Sequence, residues 1–343
     1  MRKLRILVLM HESLVPPESL EGYSEKQIEE FRVEFDVVQT LRKNGHEVRP
    51  IGLYDNLGEL RAAIADFKPH VAFNLLEEFQ GIAKYDQHVV AFLELLKQPY
   101  TGCNPRGLTI SRDKVLTKQL LSYHRIPTPH FAVFEQGKRY RIPRKLRFPL
   151  FVKSASEDAS LGISQASVVH DAGKLKERIQ FIHEQVRSDA LVEEFIEGRE
   201  LYVGVLGNDR LQTYPVWELD FGVLGDAQAI ATRRAKWNRR YQDRHGIKPR
   251  AAPGLSDAQQ AELDRLSKRI YRALSLTGYA RIDYRLRADG GVFVLEANAN
   301  PNLSHDEDFA QSALSIGVQY PELLERIVRL GMNYRSAWRL AET

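Results

Sequence analysis

Residues 280–302, ARIDYRLRADGGVFVLEANANPN, constrain the fold most, because they read as a hairpin that forces two acids together. Two runs of alternating polar and apolar residues flank Ala288-Asp289-Gly290-Gly291, and Asp-Gly between such runs is a strong hairpin signal. With Asp289 and Gly290 at the tip, Asp283 faces Glu296 across the ladder and Arg281 faces Asn298. Side chains alternate between faces, so these four share one side. Ile282, Tyr284, Leu286, Phe293, Leu295 and Ala297 then form an apolar side fit to pack on a core. Like charges directly opposite destabilise a sheet, and a hard divalent cation would offset that cost. Mg²⁺ takes oxygen ligands, is usually held by one or two carboxylates, and fills its other positions with water and substrate phosphates. The Asn298 carbonyl adds a third oxygen on the same face. The competing account is an exposed polar face on which Arg281 and Arg285 neutralise the acids. A tip displaced by one residue would also split the acids between faces.

Composition narrows the classes. The single cysteine, Cys103, excludes an intramolecular disulfide and a cysteine-based zinc cluster. The ten histidines form no close pair with zinc-ligand spacing. Leu4–Met10 is interrupted by Arg5 and stops at His11-Glu12, so it reads as a first strand rather than a signal peptide. No stretch approaches the roughly 20 apolar residues of a membrane helix, and a cytoplasmic location is expected. The net charge of +4 is weak support for a polyanionic partner. Basic residues do crowd 233–250 and Lys138–Arg147, which reads as a solvated face, a loop folding over phosphates, or a nucleic-acid patch.

Residues 1–103 alternate strand and helix, which implies a parallel sheet with helices on its faces. The expected order is strand Leu4–Met10, a helix opened by the Ser24/Gln27 capping box and ending near Asn44-Gly45, strand His46–Leu53, helix Asn56–Phe67, strand Val71–Leu76, helix Asp86–Lys97 and a short strand at 99–101. Ser111 is expected to cap a helix Arg112–His124. Strands then dominate at His130–Glu135, Pro149–Ser154, Gln165–Val169, Ala190–Glu194 and Glu200–Leu206, with one helix at Ala172–Val186. A helix from Ser256 to about Leu276 precedes the hairpin, and two more follow near Asp308–Ile316 and Pro321–Met332. The domain boundaries expected are 1–103, 104–194 and 195–343.

The common nucleotide fingerprints are missing: there is no GxGxxG, and Gly102–Gly107 has phosphate-loop glycine spacing without its lysine. Subtler signals remain. Lys153 ends an apolar strand and is followed by a loop of small residues, Ser154–Ser164, whose backbone N–H groups can approach an anion. Leu191–Leu201 reads as two strands joined through Gly198; Glu193 and the backbone of Glu194–Ile196 offer partners to an adenine, and Glu200 to ribose hydroxyls. Each has a plain structural alternative, a surface turn or an edge hairpin.

Taken in order, VAFNLL at 71–76, PYTG at 99–102, SRDK at 111–114, FPLFVKSAS…LGIS at 148–164, LVEEFIEGREL at 191–201, AKW at 235–237, GYARID at 278–283 and VLEANANP at 294–301 resemble the ATP-grasp superfamily in its D-alanine–D-alanine ligase branch. The resemblance runs from about residue 70 to 330. It implies an ATP-grasp fold, an N-terminal parallel α/β domain followed by two lobes that sandwich ATP, and ATP-dependent amide or peptide bond formation through an acyl phosphate. It makes Asp283, Glu296 and Asn298 the ligands of Mg²⁺, two ions with Mn²⁺ as an alternative. Lys114, Lys153 and Ser160 become nucleotide contacts, Glu193, Glu194, Phe195 and Ile196 the adenine hinge, and Glu200 the ribose acceptor. Arg281 stabilises the reacting oxygens alongside Lys153, and Lys236 reaches the phosphates from a mobile loop. It also implies a homodimer.

Departures from the pattern bear on the substrate. The N-terminal glycine-rich stretch is replaced by His11–Pro17, with Glu12 or Glu18 as stand-ins for its glutamate. Glu77-Glu78 replaces a histidine-glycine, Asp158-Ala159 a glycine-serine, and Trp237 the tyrosine after the loop lysine. Asn302 stands for a glycine, and Glu307 for the serine that recognises the second carboxylate. The expected ligase therefore joins small-molecule amino acids or peptides other than a pair of D-alanines, with Glu77, Glu78 and Glu307 facing a cationic group. A true D-alanine–D-alanine ligase is the alternative; a non-catalytic nucleotide binder or a nucleic-acid-binding protein ranks lower.

Overall fold

The computed structural model describes residues 3–155, 163–222, 230 and 239–341, with Arg239 and Asp243 described by backbone alone. Three sheets organise these residues. Strands β1 (Arg5–His11), β2 (Glu47–Leu53) and β3 (Val71–Asn74) form a parallel sheet in the order β2-β1-β3. The expected strand at 99–101 is reduced to one parallel bridge, Ala72 with Tyr100. β1 is buried over five consecutive residues, as a strand covered on both faces must be. The Ser24/Gln27 capping box is present, but the helix it opens breaks at Phe31 into Glu25–Glu30 and Arg32–Lys43.

The second sheet is antiparallel: β4 (Phe131–Phe134), β5 (Leu150–Ser154), β6 (Val168–Val169) and β7 (Ala190–Glu194), in the order β4-β7-β5-β6. The third joins β8 (Arg199–Leu206), β9 (Gln212–Thr213), β10 (Trp217–Asp220), β11 (Lys248–Ala251), β12 (Tyr279–Leu286) and β13 (Val292–Ala299), with β8 beside β12 and β12 beside β13. One apolar core, including Leu7, Leu9, Val90, Leu201, Ile270, Ile282 and Val294, runs without interruption from the parallel sheet to the third sheet. A smaller core around Val152, Ile179 and Val192 serves the second sheet alone.

Two local expectations are corrected. The segment with phosphate-loop glycine spacing is a helix, Pro105–Arg112, with Asn104 accepting from the Gly107 N–H and proline in the first turn. The next helix, Lys114–Tyr123, is capped by Asp113, whose carboxylate accepts from the Val115 and Leu116 N–H groups, and not by Ser111. Two good cap residues, Asn104 and Asp113, open two successive helices here.

Candidate active site

The hairpin β12–β13 pairs Asp283 with Glu296 and Arg281 with Asn298. The route to that register differs from the expected one. The turn occupies Arg287–Gly291, closed by the Arg287 N–H to the Gly291 carbonyl and the Gly290 N–H to the Arg287 carbonyl, and Leu286 pairs with Val292. That offset would part the acids, but the pairing passes from Tyr284–Val294 to Asp283–Glu296, leaving Leu295 as one extra residue. A bulge re-aims the side chains beyond it. Val292 and Val294 therefore join Ile282, Tyr284, Leu286 and Ala297 in the core, in place of the expected Phe293 and Leu295.

Asp283 is 1% exposed. The Arg281 guanidinium holds it through two parallel bonds, Nε to Oδ1 at 2.7 Å and Nη2 to Oδ2 at 2.9 Å, and reaches Asp308 Oδ2 at 2.9 Å with Nη1. Arg281 also lies 4.5 Å from the centre of the Tyr202 ring. The account in which arginines neutralise the hairpin acids thus holds for Arg281. Arg285 turns elsewhere: Nη2 donates to Glu200 Oε2 at 2.8 Å and Nη1 to the Gly198 carbonyl at 2.7 Å. Tyr202 donates its hydroxyl to Glu200 Oε1 at 2.9 Å.

Glu193, on β7, is the centre of a buried charge cluster. Its Oε1 lies 3.0 Å from the Lys118 Nζ and 3.1 Å from the Lys153 Nζ, all three side chains at most 8% exposed. Burial pushes the Glu193 carboxyl up, but the two ammonium groups outweigh it and hold the group below the usual carboxylate range. Burial alone would lower Lys153, yet the charges of Glu193, Glu296 and Glu200 leave it raised. Lys118 was not anticipated, although it follows Lys114 by one helical turn and so shares its face. Its ammonium donates to Thr128 Oγ1 at 2.9 Å, and Thr128 donates to the Val294 carbonyl at 3.0 Å, one residue before the bulge. Lys118 therefore couples β7 to the hairpin.

A small cleft brings Lys114 together with Glu296 and Asn298, with Ser111, Thr117 and Leu295 in its walls. At the hinge, the Glu194 and Phe195 N–H groups donate to the His130 and Pro149 carbonyls, and Glu194 Oε1 accepts from the Arg147 N–H. Phe195 lies against Phe151, ring centres 6.5 Å apart. Ile196 follows on the loop into β8, half-buried. Ser160, Lys236, Asp158 and Trp237 lie outside the described residues.

The oxygen donors suit a hard cation. Among the described residues no group of three or more His, Cys, Asp or Glu side chains forms a ready cage. Two opposed carboxylates and an amide are nonetheless what Mg²⁺ shares with phosphate oxygens and water. The Asn298 Nδ2 is buried and has no hydrogen-bond partner among the described residues. A carboxylate has about four lone-pair directions, and Arg281 takes two at Asp283.

The residues expected to recognise substrate divide. Glu77 and Asn302 line a second cavity, beside Asn300 and Pro301 at the end of β13. Glu307 precedes the helix Asp308–Leu314; burial and the charge of Asp308 push its carboxyl up to about 7 against the pull of Arg281. Glu12 is exposed on the turn after β1, Glu18 is held by Arg42 at 2.6 Å, and Glu78 lies 3.4 Å from the His11 ring.

Residues 120–329 match the family model described as D-ala D-ala ligase C-terminus. An uncharacterised protein of Sinorhizobium fredii is 34% identical over 307 residues, covering 87% of this chain and 86% of its own. A D-alanine–D-alanine ligase of Desulfotalea psychrophila is 31% identical over 288 residues, covering 82% of this chain and 85% of that protein. The crystal structure of a D-alanine–D-alanine ligase from Bacillus anthracis complexed with ATP has a TM-score of 0.75 at 23% identity, over 99% of this chain and 100% of that one, a likeness of fold. With its parallel N-terminal sheet, two antiparallel sheets and most of its length matched, this chain belongs to the D-alanine–D-alanine ligase family of ATP-grasp ligases.

Proposed function

We propose that the protein is an ATP-dependent carboxylate–amine ligase whose nucleotide lies between the second and third sheets. The observation that carries this reading is the convergence on Lys153. Its ammonium is raised by Glu193, Glu296 and Glu200, three acids from three strands given adenine, metal and ribose roles by the resemblance. Three units, 1–103, 104–194 and 195–343, divide the work: the first and third build the substrate side, and the second folds over the nucleotide.

In the reaction a substrate carboxylate oxygen attacks the γ-phosphorus of ATP and ADP leaves, giving an acyl phosphate. An amine nitrogen then attacks the acyl carbon, loses a proton, and inorganic phosphate departs. Asp283, Glu296 and Asn298 hold Mg²⁺, which when bound offsets charge on the transferring phosphoryl group. Lys114 faces the same cleft as Glu296 and Asn298 and adds a cation beside the phosphates. Arg281, pinned by Asp283 and Asp308, presents a fixed guanidinium to the reacting oxygens. Lys153 binds phosphate while Glu193 keeps it charged. Ser160 and Lys236 cover the phosphates from the loops that exclude water.

The substrates differ from two D-alanines. A glutamate at 307, where the family places a serine against a carboxylate, repels that carboxylate when ionised and favours a substrate bearing a cationic group. An ADP-release screen over amino acids and dipeptides, with hydroxylamine to trap the acyl phosphate, tests this. A hydroxamate identifies the donor. Efficient and preferred joining of two D-alanines would overturn the substrate reading, and no nucleotide turnover with any acid would overturn the ligase reading.

A further inference from the structure

Glu34 is the least expected side chain on the substrate side. It lies in the first turn of helix Arg32–Lys43, 6% exposed, on a cavity that the hairpin reading did not anticipate. Among the described residues it makes no ion pair. Burial pushes its carboxyl up to about 7, its own backbone N–H pulls the other way, and the nearby Glu77 charge adds to the rise. Arg112 lines the same cavity, but its guanidinium holds Asp86 through two bonds, 3.0 and 2.8 Å, and donates to the Glu77 carbonyl oxygen at 3.3 Å. Among the described lining residues one cation, Arg112, stands beside two acids, Glu34 and Glu77. The rest of the wall joins apolar side chains, Val33, Leu75, Leu76 and Leu303, to Asn74, Tyr279 and the Asn300–Asn302 stretch at the end of β13.

We infer that this cavity is a subsite for an alkylammonium group, an aliphatic stem ending in a cation, with Glu34 as the carboxylate that receives it. The inference rests on the proposed ligase reading and names the substrate class: an amino acid or amine with an ω-ammonium group several methylenes from its reacting end. The apolar walls cover the methylenes. Glu34 is already dehydrated by the fold, so an arriving ammonium meets a carboxylate that has shed its water, and the pair forms in a low-dielectric setting where it is strong. A neutral stem of equal length gains the wall contacts only.

The test compares lysine with norleucine, which share a stem and differ in the terminal ammonium. Calorimetry is run on the full chain with Mg²⁺ and a non-hydrolysable ATP analogue. Lysine is expected to bind about 30-fold tighter than norleucine, the low end for a buried charge pair. Glu34→Gln, which keeps shape and removes charge, is expected to abolish the difference while leaving norleucine binding and the analogue's affinity unchanged. Glu34→Asp, which keeps the charge on a shorter stem, is expected to retain part of it. Equal binding of the two ligands by the wild-type chain, or lysine preference surviving in Glu34→Gln, would overturn the subsite. The hydroxamate assay separates this from the parent reading: lysine preference without hydroxamate sinks the ligase and keeps the cation subsite, whereas hydroxamate without lysine preference does the reverse.

Discussion

Lys118, Glu193 and Lys153 show how one buried carboxylate can serve two cations. Removing either lysine leaves charge that the interior cannot solvate. Lys118→Met should lower stability by about 3 kcal/mol, as breaking a buried pair does, and should weaken ATP binding because Glu193 is no longer fixed. Urea melts and nucleotide titration check both; unchanged midpoints would show that Lys153 alone satisfies Glu193. Glu34 yields a pH prediction of known sign. Its folded pKa of about 7 stands above the unfolded value of 4.5, so the native state holds more protons between the two. Stability from this group is full below pH 4.5 and is lost as pH rises through 7, by up to about 3 kcal/mol. Glu34→Gln should flatten that part of the profile, read as melting temperature against pH. A slope of unchanged size would place the titration elsewhere, with Glu307 as the next candidate.

The hairpin β12–β13 gains its function from the single extra residue at Leu295. Inserting one alanine between Leu295 and Glu296 should move Glu296 and Asn298 one place along the ladder and rotate them away from Asp283, since a one-residue slip exchanges faces. Magnesium-dependent turnover should fall by about 100-fold or more while the circular dichroism spectrum stays near wild type, one misplaced ligand set being enough for that loss. Retained turnover would mean that the bulge does not place the acids. Asp283→Ala and Glu296→Ala should each remove turnover without loss of the fold. Persistent magnesium-dependent activity in both would count against the metal assignment.

The parallel sheet and the third sheet share a core, while the second sheet keeps its own. Polar links reinforce the first union: Glu325 on helix Tyr320–Asn333 lies 2.8 Å from the buried His46 ring and accepts from Asn44 Nδ2 at 2.9 Å. We propose that the second sheet is the unit that moves over the nucleotide, with Pro127 at one joint and Gly198 at the other. Bound nucleotide should therefore stabilise the whole chain. Mg²⁺ with an ATP analogue at 100 times its dissociation constant should add about 2.7 kcal/mol, and the double variant Asp283→Ala/Glu296→Ala should lose the magnesium-dependent share. Calorimetric melting with and without metal separates the two.

Much of the fold was legible from local chemistry: alternation gave the strands, the Ser24/Gln27 box and Ser256 gave two helix starts, and the βα order gave the parallel sheet. The motif order along the chain marked Lys114, Lys153, Glu193 and the hairpin acids, because a chain must carry those groups whatever its packing. The partners of those groups were not readable. Thr128 under Lys118, Arg285 on Glu200 and Asp308 on Arg281 lie 10, 85 and 27 residues away, and no periodicity spans such separations. Two displacements in the hairpin, a shifted turn and a bulge, cancelled at Asp283 and Glu296 and were visible only as pairing. Sequence sets which groups are present and which face of a strand or turn of a helix each occupies; the packing of one element on another sets which of them meet, how dry they are, and so what charge they carry.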